Sequence, residues 1–295
     1  MDYRDNVFLS VAENLNFSKA ANDLFISQPA VTKHIKELES KLSVTLFERK
    51  GNKVYLTQAG KLTYNYLKNI KQQYNELDFE LGRLKNTFKG NLKIGASSTI
   101  SQYLIPEVLA AFYKQYPEIK LYLYNGNSFE MEKSLLQNNI DLALVENYSS
   151  QANIKYKDFL NDEIVTITGS NSVYSKKASL TISDFKQIPI VLRENGSGTL
   201  EVIKQKLQQN KININKLNIF IHLGSTEAIK NFLSDFNGIA LVSEKSILKE
   251  IQLKTIKIIK VKNLSLNRKF RIATRYGELP NTAKIFNDFL INYNF

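Results

Sequence analysis

Three groups of residues in this 295-residue chain have types and spacing suited to recognition chemistry. Gln28, Pro29, Thr32, Lys33 and Lys36 follow Ser27 within ten positions. A glutamine can pair with adenine, a threonine can donate, accept or touch a thymine methyl, and a lysine suits guanine or phosphate. Arg49, Lys50 and Lys53 crowd around Gly51-Asn52, a cationic tip able to meet phosphate or enter a minor groove. The third group is three Ser/Thr/Gly stretches: Ser97-Ser98-Thr99, then Gly196-Ser197-Gly198-Thr199 downstream of Arg193, then Gly224-Ser225-Thr226. Each offers hydroxyls and free amides at the start of an expected helix, where the dipole favours negative charge.

Other chemistry is thinly represented. With no cysteine, disulfides, thiolate nucleophiles and thiolate-held metals are excluded. His34 and His222 are the only histidines and lie far apart, and no carboxylate cluster suggests a metal site. The sequence holds no G-x-S-x-G elbow, no G-x-x-x-x-G-K-[ST] loop, no H-E-x-x-H and no dinucleotide-binding glycine triplet. No catalytic residue and no cofactor is therefore assigned. Met1-Asp2-Tyr3-Arg4-Asp5 lacks the basic start and apolar stretch of a secretion signal, and no apolar run reaches the roughly 20 residues of a membrane span, which predicts a soluble, cytoplasmic protein. The formal charge of +12 divides into +4 over residues 1–90 and +8 over residues 91–295. Charge this evenly spread does not by itself mark a nucleic-acid-binding protein; the local pattern has to.

That pattern begins with helices. Val7, Phe8, Val11, Ala12 and Leu15 lie at helical spacing, and Ser18 reads as the cap of a short helix over 19–25 with Ala20, Ala21 and Leu24 inward. Ser27 caps a third helix over 28–42, with Pro29 in its first turn, where a missing amide does no harm. Val31, Ile35, Leu38 and Leu42 face its core, which turns Pro29, Lys33, Lys36 and Ser40 outward, with Gln28 and Thr32 on one flank. This is a helix-turn-helix arrangement, its second helix suited to a major groove. On periodicity alone, a three-helix structural bundle with a solvated face fits equally well. The basic hairpin over 46–57 favours the former, since it would be a wing beside the reading helix.

Thr57 caps a long helix over 58–87, about 45 Å in length. Leu62, Tyr66, Ile70, Tyr74, Leu77, Leu81 and Leu84 stripe it, and from Ile70 the steps alternate four and three. Such a narrow seam predicts pairing of two copies, and two copies suit two half-sites on a duplex.

Ala20-Ala21, Leu24, Ser27-Gln28-Pro29-Ala30-Val31-Thr32, Ile35, Leu38-Glu39, Leu46-Phe47-Glu48-Arg49 and Leu56-Thr57-Gln58-Ala59-Gly60 resemble, in order, the signature of LysR-type transcriptional regulators. The resemblance implies that Gln28, Pro29, Thr32 and Lys33 meet DNA and that Arg49 serves the wing. It also implies homodimers or homotetramers (dimers of dimers) that bend promoter DNA, and it leaves RNA polymerase open as a partner. His34, on the flank of the third helix, reads as a packing residue.

Beyond Gly90 the pattern alternates: strand 92–96, helix 100–116, strand 120–124, helix 128–137 and strand 141–145. A second series runs through strands 164–168 and 188–192, helix 200–210, strand 219–223, helix 227–236 and strand 239–242. Strands 256–261 and 270–275 and a helix over 282–291 close the chain. Parallel sheets covered by helices follow. This part resembles the effector-binding domain of the same family, itself similar to periplasmic solute-binding proteins. The expected fold class is α/β with an N-terminal all-α winged helix-turn-helix domain and a two-subdomain, periplasmic-binding-protein-like effector domain. Expected boundaries are 1–57 for the DNA-binding domain, 58–89 for the linker and dimerisation helix, and 90–295 for the effector domain. Within the last, subdomain I takes 90–162 and 268–295, and subdomain II takes 163–267.

Ligands of open α/β sheets bind beyond the carboxyl ends of strands, so Ser97, Ser98, Thr99, Arg193, Gly196, Ser197, Gly198, Thr199, Gly224, Ser225 and Thr226 are candidates for one cleft. Singly, each loop is ordinary helix capping; together they suit a small-molecule effector that is an anion or carboxylate. Arg193 is either a cationic donor there or a brace for the backbone, and His222 reads as a surface or satisfied histidine. The loop wording resembles a subgroup regulating sulfur assimilation and carbon fixation, which implies an oxyanion such as sulfite or sulfate, or a phosphorylated or carboxylated metabolite. The competing classes are a cytoplasmic solute-binding protein and a carboxylate-based enzyme, neither with a DNA-binding role.

Overall fold

Val7, Phe8 and Val11 bury against Ala20, Ala21, Val31, Ile35 and Leu38, and this contact organises the first part of the chain. The computed structural model describes residues 1–51, 53–84, 88–148, 150–277 and 279–295, leaving aside the side chains of 72, 75, 76, 78–80 and 82–84. It divides into two units, Met1–Thr87 and Phe88–Phe295.

The first unit runs α1 (Tyr3–Asn14), α2 (Phe17–Asp23), α3 (Gln28–Leu42), β1 (Phe47–Lys50), β2 (Lys53–Leu56) and α4 (Gln58–Leu84). Ser27 Oγ accepts from the Ala30 amide at the start of α3, with Pro29 in its first turn. The cap of α2 is Asn16 rather than Ser18: its side chain accepts from the Lys19 amide at 3.0 Å, so the helix starts two residues before the sequence-based expectation. An asparagine in extended backbone is as good a cap as serine, and the apolar run conceals the choice. β1 and β2 pair antiparallel from Phe47↔Leu56 to Lys50↔Lys53. Gly51 turns them at φ +62°; its neighbour Asn52 and residues 85–87 lie outside the described residues.

Glu39 on α3 fastens this hairpin, accepting from the Leu46 amide at 2.7 Å and the Phe47 amide at 3.3 Å. Thr57 Oγ1 donates to the Thr45 carbonyl (2.7 Å) and accepts from the Gly60 amide (2.9 Å). Gly60 is required by space, because a Cβ there would sit 2.1 Å from the Leu46 carbonyl oxygen. Gly60→Ala is expected to cost the first unit at least about 1–3 kcal/mol, the usual price of overpacking, read as a lower midpoint in chemical denaturation.

In the second unit, β3 (Gly90–Ser97), α5 (Ser98–Tyr103), α6 (Ile105–Gln115), β4 (Ile119–Gly126), α7 (Ser128–Leu136) and β5 (Leu142–Val145) form a parallel set in which β3 pairs with both β4 and β5. β6 (Ile154–Gly169) then crosses to a second set: β7 (Ser179–Leu180), α8 (Ile182–Gln187), β8 (Ile190–Arg193), α9 (Gly198–Gln209), β9 (Ile219–Leu223), α10 (Thr226–Leu233) and β10 (Ile239–Ser243). There β8 pairs parallel with β9 and β10. α11 (Leu248–Gln252), β11 (Ile256–Ile258) and β12 (Lys260–Val261) follow, and β13 (Asn267–Arg275) returns to the first set, where α12 (Asn281–Ile291) packs. The main sheet is ordered β4-β3-β5-β13-β6-β10-β8-β9, with β11 also on β6.

In the second unit β7, α8 and α11 are absent from the sequence reading, and three elements that it does place differ in extent. The helix expected over 100–116 is two, broken at Leu104 (φ −120°) ahead of Pro106, which has no amide to donate to the carbonyl four residues back and sits in the first turn of the second helix. The crossing strand is sixteen residues long rather than the five expected over 164–168, since Lys155, Lys157, Asp158, Asn161 and Glu163 hide the alternation of its first half. The strand expected over 256–261 breaks at Ile259, whose amide turns to the Thr166 carbonyl. β6 and β13 lie antiparallel from Ile154↔Arg275 to Glu163↔Asn267, so two strands carry the chain between the subdomains.

Candidate functional site

On α3, Val31, Ile35 and Leu38 are buried while Ser27, Pro29, Lys33 and Lys36 are exposed, with Gln28 and Thr32 intermediate. Gln28 Nε2 donates to Thr32 Oγ1 at 2.9 Å, and Thr32 Oγ1 donates back to the Gln28 carbonyl at 3.2 Å. The pair fixes the glutamine rotamer and leaves its Oε1 and second amide hydrogen free to face outward. Arg49 and Lys53 are exposed on the hairpin; the Arg49 guanidinium stands 5.6 Å from the Phe17 ring centre. Lys50 is engaged with Glu48 at 3.1 Å, so Arg49 and Lys53 are the more available cations. His34 packs edge-on against Tyr3 on α1, with ring centres 5.4 Å apart.

α4 has two faces. Tyr64 and Leu67 pack on the core of the first unit, whereas Leu62, Tyr66, Ile70, Tyr74, Leu77 and Leu81 are 38–65% exposed. The Leu84 side chain lies outside the described residues. A row of six exposed large apolar groups on one helix is more than scattered surface residues require.

The three hydroxyl-bearing loops of the second unit meet. Ser97, Ser98 and Thr99 join β3 to α5, Ser197, Gly198 and Thr199 open α9, and Gly224, Ser225 and Thr226 join β9 to α10. Arg193, buried at the end of β8, links the first loop to the third: Nη2 donates to Ser98 Oγ and to the Gly224 carbonyl, and Nη1 donates to Thr226 Oγ1, each at 3.4 Å. Its Nε and Nη2 also hold Glu194 at 2.8 and 2.9 Å. Arg193 is thus a brace between loops whose charge is already paired. Ser197 Oγ and Ser225 Oγ accept from the Leu200 and Ala228 amides and act as caps. Gly196 takes φ +89° beside Asn127. His222 Nδ1 donates to the Arg193 carbonyl at 2.7 Å, a satisfied histidine.

Glu146, Arg268 and Asp162 also belong to this site and were not among the sequence candidates. Glu146 leaves β5 beside the first loop, since β3 and β5 run in register with Ala96 opposite Leu144. Its Oε1 accepts from Thr199 Oγ1 (2.7 Å) and Thr99 Oγ1 (3.4 Å), tying the first loop to the second. Arg268, fully buried on β13, donates from Nη1 to Thr199 Oγ1 (2.9 Å) and from Nε to Asp162 Oδ2 (2.7 Å), and stands 3.3 Å from Glu146 Oε2. Burial pushes the Glu146 carboxyl up, but Arg268, helped by Thr199, Arg193 and Thr99, outweighs it and holds the group below the ordinary carboxylate range. Glu146 is therefore a buried anion. Ser97 Oγ, Glu146 Oε2 and Arg268 Nη2 are buried without a hydrogen-bond partner.

A second bridge spans the subdomains nearby. Tyr103 OH on α5 donates to Glu227 Oε1 at 2.6 Å, and its ring lies 4.9 Å from Lys230 Nζ on α10. Burial, and then the bond to Glu227, raise the Tyr103 phenol well above its usual range, so it remains a donor. Among the described residues no three histidines or carboxylates converge to hold a metal ion, and no helix is long and apolar enough to cross a membrane.

Comparison with known proteins agrees with this architecture. Residues 6–61 match the model of the bacterial regulatory helix-turn-helix protein, lysR family, and residues 85–294 match the LysR substrate binding domain. The chain is 35% identical over 273 residues to a probable RuBisCO transcriptional regulator of Thalassiosira pseudonana, covering 91% of this chain and 89% of that protein. In fold it is similar to the Synechocystis PCC6803 CcmR regulatory domain, whose structure is in complex with 2-PG (TM-score 0.62, 24% identity, 69% of this chain and 96% of that one). It is also similar to full-length CbnR complexed with its target DNA (TM-score 0.69, 17% identity, 98% of this chain and 99% of that one).

Proposed function

The chain belongs to the LysR family of transcriptional regulators, and from that premise we propose how its parts divide the work. It is a DNA-binding regulator with an effector-binding domain. α3 reads operator bases with Gln28, Thr32 and Lys33, while Ser27, Pro29 and Lys36 hold the helix against the backbone. Arg49, Lys53 and, less directly, Lys50 give the hairpin its phosphate contacts. Two copies pair along the Leu62-to-Leu84 seam of α4, as homodimers or as homotetramers, and RNA polymerase is a further partner. No cofactor and no catalytic step enter this reading.

The effector is a small oxyanion held in the cleft between subdomain I and subdomain II. The observation that carries this is the convergence of the three loops on Arg193 and Glu146. The first amides of α9 and α10 have no intrahelical carbonyl and are available to such a ligand. The 2-PG complex of the CcmR regulatory domain, 2-PG being anionic, supports the same class. An effector acts only through different affinities for the open and closed arrangements, which the two strands β6 and β13 permit. Calorimetry with phosphate, sulfate, sulfite and small carboxylates tests the reading. Ser98→Ala and Thr226→Ala should each weaken the strongest anion about 2- to 10-fold, the worth of one hydrogen bond. Affinities left unchanged in both variants contradict the cleft assignment.

A further inference from the structure

The proposed effector site contains an acceptor that a fully ionised oxyanion cannot use. Glu146 is 1% exposed. Its Oε1 is occupied by Thr199 and Thr99, whereas Oε2 has Arg268 Nη1 at 3.3 Å, an ion-pair distance without the alignment of a hydrogen bond. Oε2 therefore remains a buried acceptor without a donor. Two buried donors of the same site also lack partners, Ser97 Oγ and Arg268 Nη2. Leaving such groups unpaired costs the full desolvation of each, so a ligand that satisfies them gains accordingly.

The charges around the carboxylate sharpen the point. Arg193 is spent on Glu194, and Arg268 on Asp162 and Glu146. Among the described residues, the two buried arginines bonded to these loops therefore leave no surplus charge to neutralise a ligand oxygen brought against Glu146. A bare oxyanion would place like charges in contact, whereas one bearing an O–H would turn that contact into a charge-assisted hydrogen bond.

We propose that Glu146 makes the site selective for an effector that is both anion and donor, namely an oxyanion carrying an O–H, with its ionised oxygens toward Ser97, Arg268 and the α9 amides. This rests on the cleft reading above and narrows it. Two sources share the chemistry: a protonated tetrahedral oxyanion or phosphate monoester, and a hydroxy acid. A site built to bond a ligand hydroxyl rejects the analogue lacking it far more strongly than a site differing by one methylene.

Two matched pairs of probes, titrated by calorimetry into the full-length protein at neutral pH, decide it. Phosphate and sulfate share shape and differ in the proton; glycolate and acetate differ in the hydroxyl. The expected result is at least about tenfold tighter binding of the O–H-bearing member in one pair or both. Discrimination in the first pair assigns a protonated oxyanion, and in the second a hydroxy acid. Glu146→Gln, whose amide supplies a donor, should bring the ratio close to one chiefly by improving sulfate or acetate; should the variant not fold, the native ratios alone decide. Equal affinities within both pairs, or a preference that survives Glu146→Gln, overturn the selectivity while leaving the cleft reading intact. Failure of all four probes to bind at millimolar concentration overturns the cleft reading and the selectivity with it.

Discussion

Gln28→Ala is expected to weaken operator binding about 5- to 150-fold while leaving affinity for unrelated duplex nearly unchanged, the signature of a lost base contact worth about 1–3 kcal/mol. The basis is the position of the half-buried Gln28 in the first turn of α3 and the bond from its Nε2 to Thr32 Oγ1, which orders the side chain before DNA arrives. A side chain already held in its reading rotamer loses less entropy on binding than a free one. Thr32→Val should therefore reproduce part of the loss, because it frees the glutamine even if threonine itself touches no base. Lys36→Ala should behave differently, with a more uniform loss across sequences and a shallower salt dependence by about one unit of slope. Competition gel shifts over a salt series separate the two patterns. Equal losses on specific and unrelated DNA for Gln28→Ala would remove its reading role.

The second large effect is expected at the α4 seam. Leu77 and Leu81 are half exposed in the single chain, with 53% and 50% of their surface accessible. In a symmetric pair the two substitutions Leu77→Glu and Leu81→Glu remove four leucines, each with about half its surface left to bury and so worth about 0.8–1.5 kcal/mol. They also set four carboxylates in the seam, where burying each unpaired costs several kcal/mol more. A micromolar to nanomolar dimer is held by about 8–12 kcal/mol, so the double variant should sediment as a monomer. Losing the second reading helix forfeits the avidity of two half-sites, a fall of about 10²–10⁴ in operator affinity. The first unit should keep its stability, since Tyr64 and Leu67, which pack on its core, are untouched. A double variant that stays dimeric would contradict the seam.

The two sites differed in how far the sequence exposed them. α3 was legible to its bounds because its determinants are local: a serine cap, a proline in the first turn and apolar residues three and four apart. The three loops were legible as chemistry, since hydroxyls and glycines sit where strands give way to helices. Their partners were not. Glu146 follows an apolar strand directly, and Arg268 lies between Asn267 and Lys269, so nothing local in the sequence singles out either. What makes them a site is a sequence separation of 53 positions between Glu146 and Thr199 and of 106 between Arg268 and Asp162, which only the crossing of β6 and β13 closes. Arg193 shows the complementary limit: its type fits an anion donor or a brace equally, and its bonds to Glu194 and to the first and third loops favour the brace. The length of β6 was hidden for a related reason, since a strand flanked on both sides needs no clean alternation where charged residues serve the hinge.

Footprinting of the full-length protein on the duplex upstream of its own coding sequence tests the central claim most directly. Two protected half-sites, centred about one helical turn or a whole multiple of it apart, with protection lost in the seam variant, are the predicted result. A chain that protects no fragment at modest salt, or that protects a single half-site as a monomer, would contradict it.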